Sequence, residues 1–250
     1  MLKWYKADLH IHTVLSACAE LSMGPKDIVR KSIEQGLDII AITDHNSAEN
    51  AAAVIKAAES TDLLVIPGME VYSRDEAHLI CLFETVGDVL AFQHVIYTAL
   101  AEGEYDPSMF GEQIICDHDE TILGESPRLL SLPVNLNLDQ IADYIVEFNG
   151  IMIPAHVDRR SHSILRVLSF MPNNLPIHAM EIAHSYEKAC LSFSILKSGK
   201  YSVIRSSDAH DIDQIGSKYT FFKLEEKSFN EIGRALRQEN GRLVSLDKVD

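Results

Sequence analysis

The sequence predicts an α/β fold in which strands and helices alternate and the sheet rolls into a barrel. Three observations predict it. Short apolar runs such as "LDIIAITDH" (37–45) and "GIMIPAHV" (150–157) recur with helical segments between them, which marks strands of a parallel sheet covered on both faces. Nearly every run ends in a histidine or a carboxylate, and in a β/α barrel the strand C-terminal ends form the rim where sites are assembled. The 250 residues hold no Pro/Gly/Ser-rich or charged linker, so one domain, residues 1–250, is expected.

The elements follow in order. Residues 5–11 read as a strand. Gly24-Pro25 opens a helix near 25–35, with Ile28, Val29, Ser32 and Ile33 at helical spacing and Gly36 at its end. After the strand at 37–45 comes an alanine-rich helix (47–60) with Ser47 as its N-cap. Strands at 62–71 and 78–84 precede a helix near 86–101. Residues 103–136 break the rhythm. "FGEQIICDHDETILGES" reads as strand, acidic turn and strand, a hairpin inserted on the rim as a lid or an interface. Then come helix 138–148, strand 150–157, helix 161–170 with Ser161 as its cap, strand 179–184, helix 186–197, strand 202–210, strand "KYTFFKL" and helix 228–239.

Charge and cysteine usage narrow the function. Thirty-seven acidic against 22 basic side chains give a formal net charge of −15, which predicts that duplex DNA is not a partner and leaves a small phosphorylated substrate or nucleotide open. Cys18, Cys81, Cys116 and Cys190 are scattered with no CxxC, against a zinc ribbon or disulfide framework. No apolar run reaches the roughly 18 residues of a membrane span, and "MLKWYKADLH" lacks a signal-peptide core. A cytoplasmic protein without a membrane partner is expected. Oligomeric state is left open.

The chemistry sits in the polar residues at the strand ends. "KADLHIHT" places Asp8, His10 and His12 on alternate positions, which in a strand share one face. Asp44 and His45, Glu70, His78, His156, and Asp208 with His210 end or open other apolar strands. Imidazole with carboxylate is the donor set for zinc, iron and manganese. His94, His118, His178 and His184 are read as structural or surface residues. Asp8 and Asp44 are read as groups that orient histidines or the loop. Arg159 and Arg160, in "HVDRRSHS", offer the guanidinium fork that suits phosphate oxygens.

"DLHIHT", "ITDH", "GMEV", "HLI", "PAHVDR" and "SDAH", in this order from residue 8 to 210, resemble the PHP family (polymerase and histidinol phosphatase). The resemblance implies a distorted (β/α)7 barrel of PHP type holding three divalent transition metals, zinc, manganese or iron. It implies that His10, His12, Glu70 and Asp208 hold a first metal, that Glu70 bridges to a second completed by His78 and His156, and that His45 and His210 hold a third. "TVLSACAE" lacks the family's acidic residue or histidine at the commonest short spacing, and Glu20 is the nearest candidate for that role. Glu70, Asp208 and His210 are then the catalytic set and Arg159 and Arg160 the substrate-binding pair, with Arg159 favoured by the resemblance.

The leading expectation is a metal-dependent phosphoesterase. It would hydrolyse a small phosphomonoester or nucleotide, such as a nucleoside bisphosphate or a short oligonucleotide end, through a hydroxide shared by two ions. Histidinol phosphate phosphatase is an alternative that the shared motifs permit. A non-catalytic, metal-stabilised binding or regulatory module is the alternative from outside the enzymes.

Overall fold

The computed structural model describes residues 1–247. Eleven strands and eight α-helices follow one another as β1 (Lys3–Ile11), α1 (Pro25–Glu34), β2 (Ile39–Ile42), α2 (Ala51–Ala58), β3 (Leu64–Tyr72), β4 (His78–Leu82), α3 (Val86–Ala99), α4 (Pro107–Phe110), β5 (Ile114–Cys116), β6 (Ile122–Glu125), α5 (Leu138–Glu147), β7 (Ile151–Pro154), α6 (Ile164–Val167), β8 (Ala179–Glu181), α7 (Tyr186–Ser192), β9 (Ser202–Ile204), β10 (Thr220–Leu224), α8 (Phe229–Leu236) and β11 (Leu243–Ser245). Local chemistry explains several of these. Pro25 at its first turn starts α1, which buries Ile28, Val29 and Ser32. An Asn137/Gln140 capping box starts α5. The expected caps Ser47 and Ser161 do not serve as caps. Ser47 hydrogen-bonds Gln93 and Tyr97, and α2 begins after Asn50. The helix expected over 161–170 shrinks to four residues after Ser163.

A curled seven-stranded sheet, ordered β11-β10-β1-β2-β3-β4-β7, makes most of a barrel wall. The parallel pair β8-β9 continues the wall through single bridges, Met152 to Ile177 and Ile11 to Ala209. One apolar cluster fills the inside with residues from nearly every strand, among them Leu9, Ala41, Ile66, Ile80, Ile153 and Ile204. A larger cluster joins the outer face of the sheet to the helices through Ile40, Ile42, Val54, Phe92 and Ile141. No helix among the described residues is long and apolar enough to cross a membrane.

The sheet is mixed, where continuous apolar strands predict a parallel one. β1-β2 and β2-β3 are parallel, but β3-β4, β4-β7, β1-β10 and β10-β11 are antiparallel. The short connection 73–77 has no room for a crossover helix, so β4 turns back along β3. Gly68 permits the close approach. A Cβ there would lie 2.7 Å from the Cys81 carbonyl oxygen and 2.8 Å from Leu82 Cδ2.

β1 also departs from strict alternation. Asp8 pairs with Ile40 but Ile11 with Ile42, so three steps on β1 match two on β2. That irregularity puts Asp8 on the face of Ile11 and turns His10 and His12 away from it. The expected alignment of Asp8 with the two histidines is therefore broken. Asp8 instead accepts hydrogen bonds from the Ser207 and Gly216 amides, at 2.9 and 3.0 Å, and ties the strand to the segment carrying Asp208.

The inserted segment does contain a hairpin, β5-β6. It packs over the loops after β1 and β2. Ile114 N donates to Val14 O, and Asn50 bonds Ile114 O, Cys116 N and Thr13 Oγ1. Asn46 Nδ2 donates to the Leu130 and Leu132 carbonyls. Gly111, at φ +94°, lies against the Ala17 carbonyl where a Cβ would collide.

Candidate metal centre

Glu70 sits at the middle of the candidate site. It lies in β3, is buried, and is reached by histidines from four segments. Its Oε1 is 2.9 Å from His78 Nδ1, 3.1 Å from His156 Nε2 and 3.4 Å from His10 Nε2. Its Oε2 faces His45 Nδ1 at 3.0 Å and His12 Nε2 at 3.5 Å, yet makes no hydrogen bond of proper geometry. Asp208 Oδ1 closes the other side, 3.2 Å from His10 Nε2 and 3.3 Å from His12 Nε2.

Backbone conformation helps to aim these groups. His156 and Asp208 have φ of +31° and +55°, a left-handed region that costs a side-chain-bearing residue energy and that clusters at functional sites. Asn46, beside His45, has φ of +47°.

Hydrogen bonds fix which imidazole nitrogens are free. Ser16 Oγ donates to Asp44 at 2.7 Å, so it accepts from His12 Nδ1–H at 2.9 Å, leaving His12 Nε2 as a bare donor atom for a cation. His210 Nδ1–H donates to the Asp208 carbonyl at 3.0 Å, which frees Nε2. His10 Nδ1–H donates to Glu181, whose oxygens lie at 3.2 and 3.1 Å, and frees its Nε2 in the same way. Carboxylate and hydroxyl partners behind the ligating histidine are the usual support of metal sites.

The electrostatics fit a cation cage. Burial alone would raise the Glu70 pKa, but the charges of His78 and His10 hold it well below the usual carboxylate range. Burial opposes ionisation of Asp208 as well, and His10 with the His12 hydrogen bond brings its pKa down. Asp44 is pushed up by burial, partly offset by Ser16 and Thr13. Asp8 is pushed up to about 6, chiefly by burial.

Three overlapping groups offer donor atoms within 4.8 Å of one another: His10, His12, Glu70 and Asp208; His45, Glu70 and His78; and His12, His45 and His210. A buried carboxylate oxygen with no hydrogen bond among convergent nitrogens suits a divalent cation, so the residues fit the group. The sequence-derived set His10, His12, His45, Glu70, His78, Asp208 and His210 is thus brought together. His156 joins through Glu70 but belongs to none of the three groups.

Glu20 does not join. Its side chain is exposed and it belongs to none of the groups. Its amide donates to the His210 carbonyl at 2.8 Å, which fixes the loop and leaves the carboxylate outside. Cys18, in the same loop, is likewise exposed and belongs to none of the groups. Arg159 reaches the cluster and pairs with Asp208 at 2.6 Å. Arg160 is exposed and makes no ion pair among the described residues. His162, read from the sequence as an exposed loop residue, stacks on His78 at 4.6 Å between ring centres.

Sequence reasoning missed Glu181. It is buried at the end of β8, holds His10, and accepts the His156 amide at 3.0 Å. A lone carboxylate inside "AMEIA" was the available signal, since a charge in an apolar strand needs partners.

A family model for the PHP domain matches residues 8–159. The chain belongs to the PHP domain family. The match ends before Asp208 and His210, so their place in the centre rests on the geometry above. Among solved structures, the lesion-specific endonuclease PfuEndoQ from Pyrococcus furiosus is similar at TM-score 0.70 and 18% identity, over 97% of this chain and 58% of that one. Endonuclease Q in complex with a 27-mer duplex carrying an abasic lesion is similar at TM-score 0.66 and 17% identity, over 96% and 58%. A structure described as a metal-dependent phosphoesterase from Bifidobacterium adolescentis gives TM-score 0.55 and 15% identity, over 82% and 87%. At these identities the likeness is one of fold. An uncharacterized protein from Methanocaldococcus jannaschii is 30% identical over 86 residues, 31% of this chain and 50% of the relative. The chain thus spans about half the length of that relative and 58% of each endonuclease chain.

The duplex complex overturns the expectation that acidity excludes duplex DNA. Net charge sums over the whole surface, whereas binding depends on the local field. Acidic ligands count little there once cations neutralise them.

Proposed function

We propose that this PHP chain is a metal-dependent hydrolase of phosphoester bonds. The observation that carries the reading is the caged Glu70 carboxylate among five histidines, with Asp208 and an arginine at its edge. His10, His12, Glu70 and Asp208 would hold one ion, Glu70, His78 and His156 a second, and His45 and His210 a third, each zinc, manganese or iron. Divalent ions held there supply Lewis acidity and ionise water near neutral pH.

The chain's own residues do the remaining work. Glu70, Asp208 and His210 are the proposed catalytic set. Glu70 keeps the two halves of the cage in register. Asp208, reached by Arg159, would hold the ion beside His10 and His12 and close the outer side of the cage. His210 is held by its bond to the Asp208 carbonyl. Arg159 turns its fork from Asp208 to the non-bridging oxygens as substrate enters, and steadies charge that grows in the transition state. Water oxygen bonds to phosphorus, the ester P–O bond breaks, and the leaving oxygen is protonated from solvent.

The proposed substrate is a small phosphomonoester or nucleotide, and the inserted segment, which packs against the loops after β1 and β2, would border its approach. The test is phosphate or nucleotide release from metal-loaded protein across phosphomonoesters, nucleoside bisphosphates, short oligonucleotides and duplex DNA with an abasic site. Release that disappears in Asp208→Asn and His10→Ala supports the reading. No hydrolysis of any ester by wild type, or equal rates in the variants, refutes it.

A further inference from the structure

We propose that the inserted hairpin is a docking edge for another protein: β6 takes up an extended, basic segment as an added strand, and an apolar side chain of that segment seats in the hollow beside Ile122. The inference stands apart from the metal-centre reading.

The hairpin has one edge taken and one edge open. The far side of β5 is occupied, because Ile114 N donates to Val14 O and Asn50 bonds Ile114 O and Cys116 N. β6 is the outer strand of this two-stranded sheet, and among the described residues no backbone hydrogen bond from Ile122–Glu125 reaches past β5. Proteins usually guard such an edge with lysine, proline or an inward-pointing charge. Here the edge carries Ile122 and Leu123, which are 64% and 66% exposed. Leu21, 70% exposed, shares with Ile122 the wall of a hollow of about 290 Å³, and Val14 and Ile114 continue that wall.

Charge selects the occupant. From Glu102 to Pro127 the chain has eight carboxylates and no lysine or arginine. Asp27, Glu112 and Glu120 line the hollow itself. Lys26 and Arg30 of α1 offset part of this field by pairing with Asp119 and Asp27, at 2.7 and 2.8 Å. Glu112, Glu120 and Glu125 make no ion pair among the described residues, and all three are exposed.

A strand with lysine or arginine on one face and apolar side chains on the other meets both features. Main-chain bonds to β6 give affinity, while the hollow and the carboxylates give selectivity. A second copy of this chain fits worse, since it sets the same carboxylates against each other across the ladder. A nucleic acid fits worse too, because its phosphates meet those carboxylates.

The test uses the whole chain and a fluorescein-labelled synthetic peptide of about ten residues in which lysine alternates with valine or isoleucine. One control peptide has the same composition with its lysines grouped at one end, and another has glutamate for lysine. Anisotropy is read against the concentration of wild type, Ile122→Lys, the double variant Glu112→Lys and Glu125→Lys, and Leu191→Lys on exposed α7, with circular dichroism to confirm the fold. Wild type should bind the alternating lysine peptide saturably, at least about tenfold more tightly than either control. The amides of 121–125 should gain protection from hydrogen exchange. Ile122→Lys and the double variant should each weaken binding at least about tenfold, and Leu191→Lys should leave it unchanged. No saturable binding, equal binding of the grouped-lysine peptide, unchanged affinity in Ile122→Lys, or protection that falls elsewhere overturns the proposal. So does a dimer in sedimentation that protects 121–125 without peptide, which gives the edge to a second copy.

Discussion

Replacing Glu181 by glutamine isolates a residue that touches neither proposed substrate nor metal. Its carboxylate accepts from two donors, His10 Nδ1–H and the His156 amide. Glutamine can keep its one oxygen at the Oε2 position, where it accepts from both donors without the charge, but its NH2 then lies at the Oε1 position, 3.2 Å from His10 Nδ1–H, donor against donor. A hydrogen bond to a charged acceptor contributes about 1.5–3 kcal/mol. At about 1.4 kcal/mol per factor of ten, that is a roughly 10- to 100-fold loss of metal affinity. The loss should fall on the ion held by His10, because the wrong ring nitrogen is then free to turn inward. It should also touch His156, whose left-handed backbone is pinned by the same carboxylate. The assay is competition for zinc against a chelator of known affinity, with phosphoester turnover at saturating metal alongside. Zinc affinity within about twofold of wild type, with normal turnover, would refute the reasoning that His10 depends on Glu181.

Other perturbations follow from the same structure. Asn50→Ala should destabilise by about 2–4 kcal/mol, because it strands the Ile114 carbonyl and the Cys116 amide, and hydrogen exchange should quicken at 114–116; unchanged exchange there counts against the docking of the insert. Arg159→Ala should lower turnover about 100-fold while metal content stays at the wild-type level, read by phosphate release and elemental analysis; loss of metal would make the arginine structural. Glu231 is held below the usual glutamate range by the Arg242 hydrogen bonds. A depressed folded-state pKa stabilises above the ordinary glutamate value and is lost as pH falls through the folded one. Glu231→Gln should therefore melt lower at neutral pH and lose less than wild type on acidification; parallel curves would rule this out.

The sequence made the ligands legible because each ends an apolar strand, where a polar side chain needs a partner. The strand irregularity between Asp8 and Ile11 was not legible, since alternation assumes a regular ladder and only the pairing with β2 reveals the extra residue. Glu20 was chosen as the nearest carboxylate after the two histidines. Its exclusion depends on the turns at Thr13 and Ser16 and the bond to His210, which spacing alone does not report. The antiparallel β3-β4 pair was foreshadowed by the short gap between Tyr72 and His78, too brief for a helix. Glu181 was hidden because its partners, His10 and His156, lie 171 and 25 residues away in the chain.

The most direct measurement is anomalous diffraction from crystals of metal-loaded protein, collected on either side of the zinc, iron and manganese edges. The account predicts peaks within about 2.0–2.2 Å of Glu70, Asp208 and the free nitrogens of His10 and His12, next to further peaks at His78 and His45. Density confined to the surface, with Glu70 still facing bare imidazoles in loaded crystals, would contradict it.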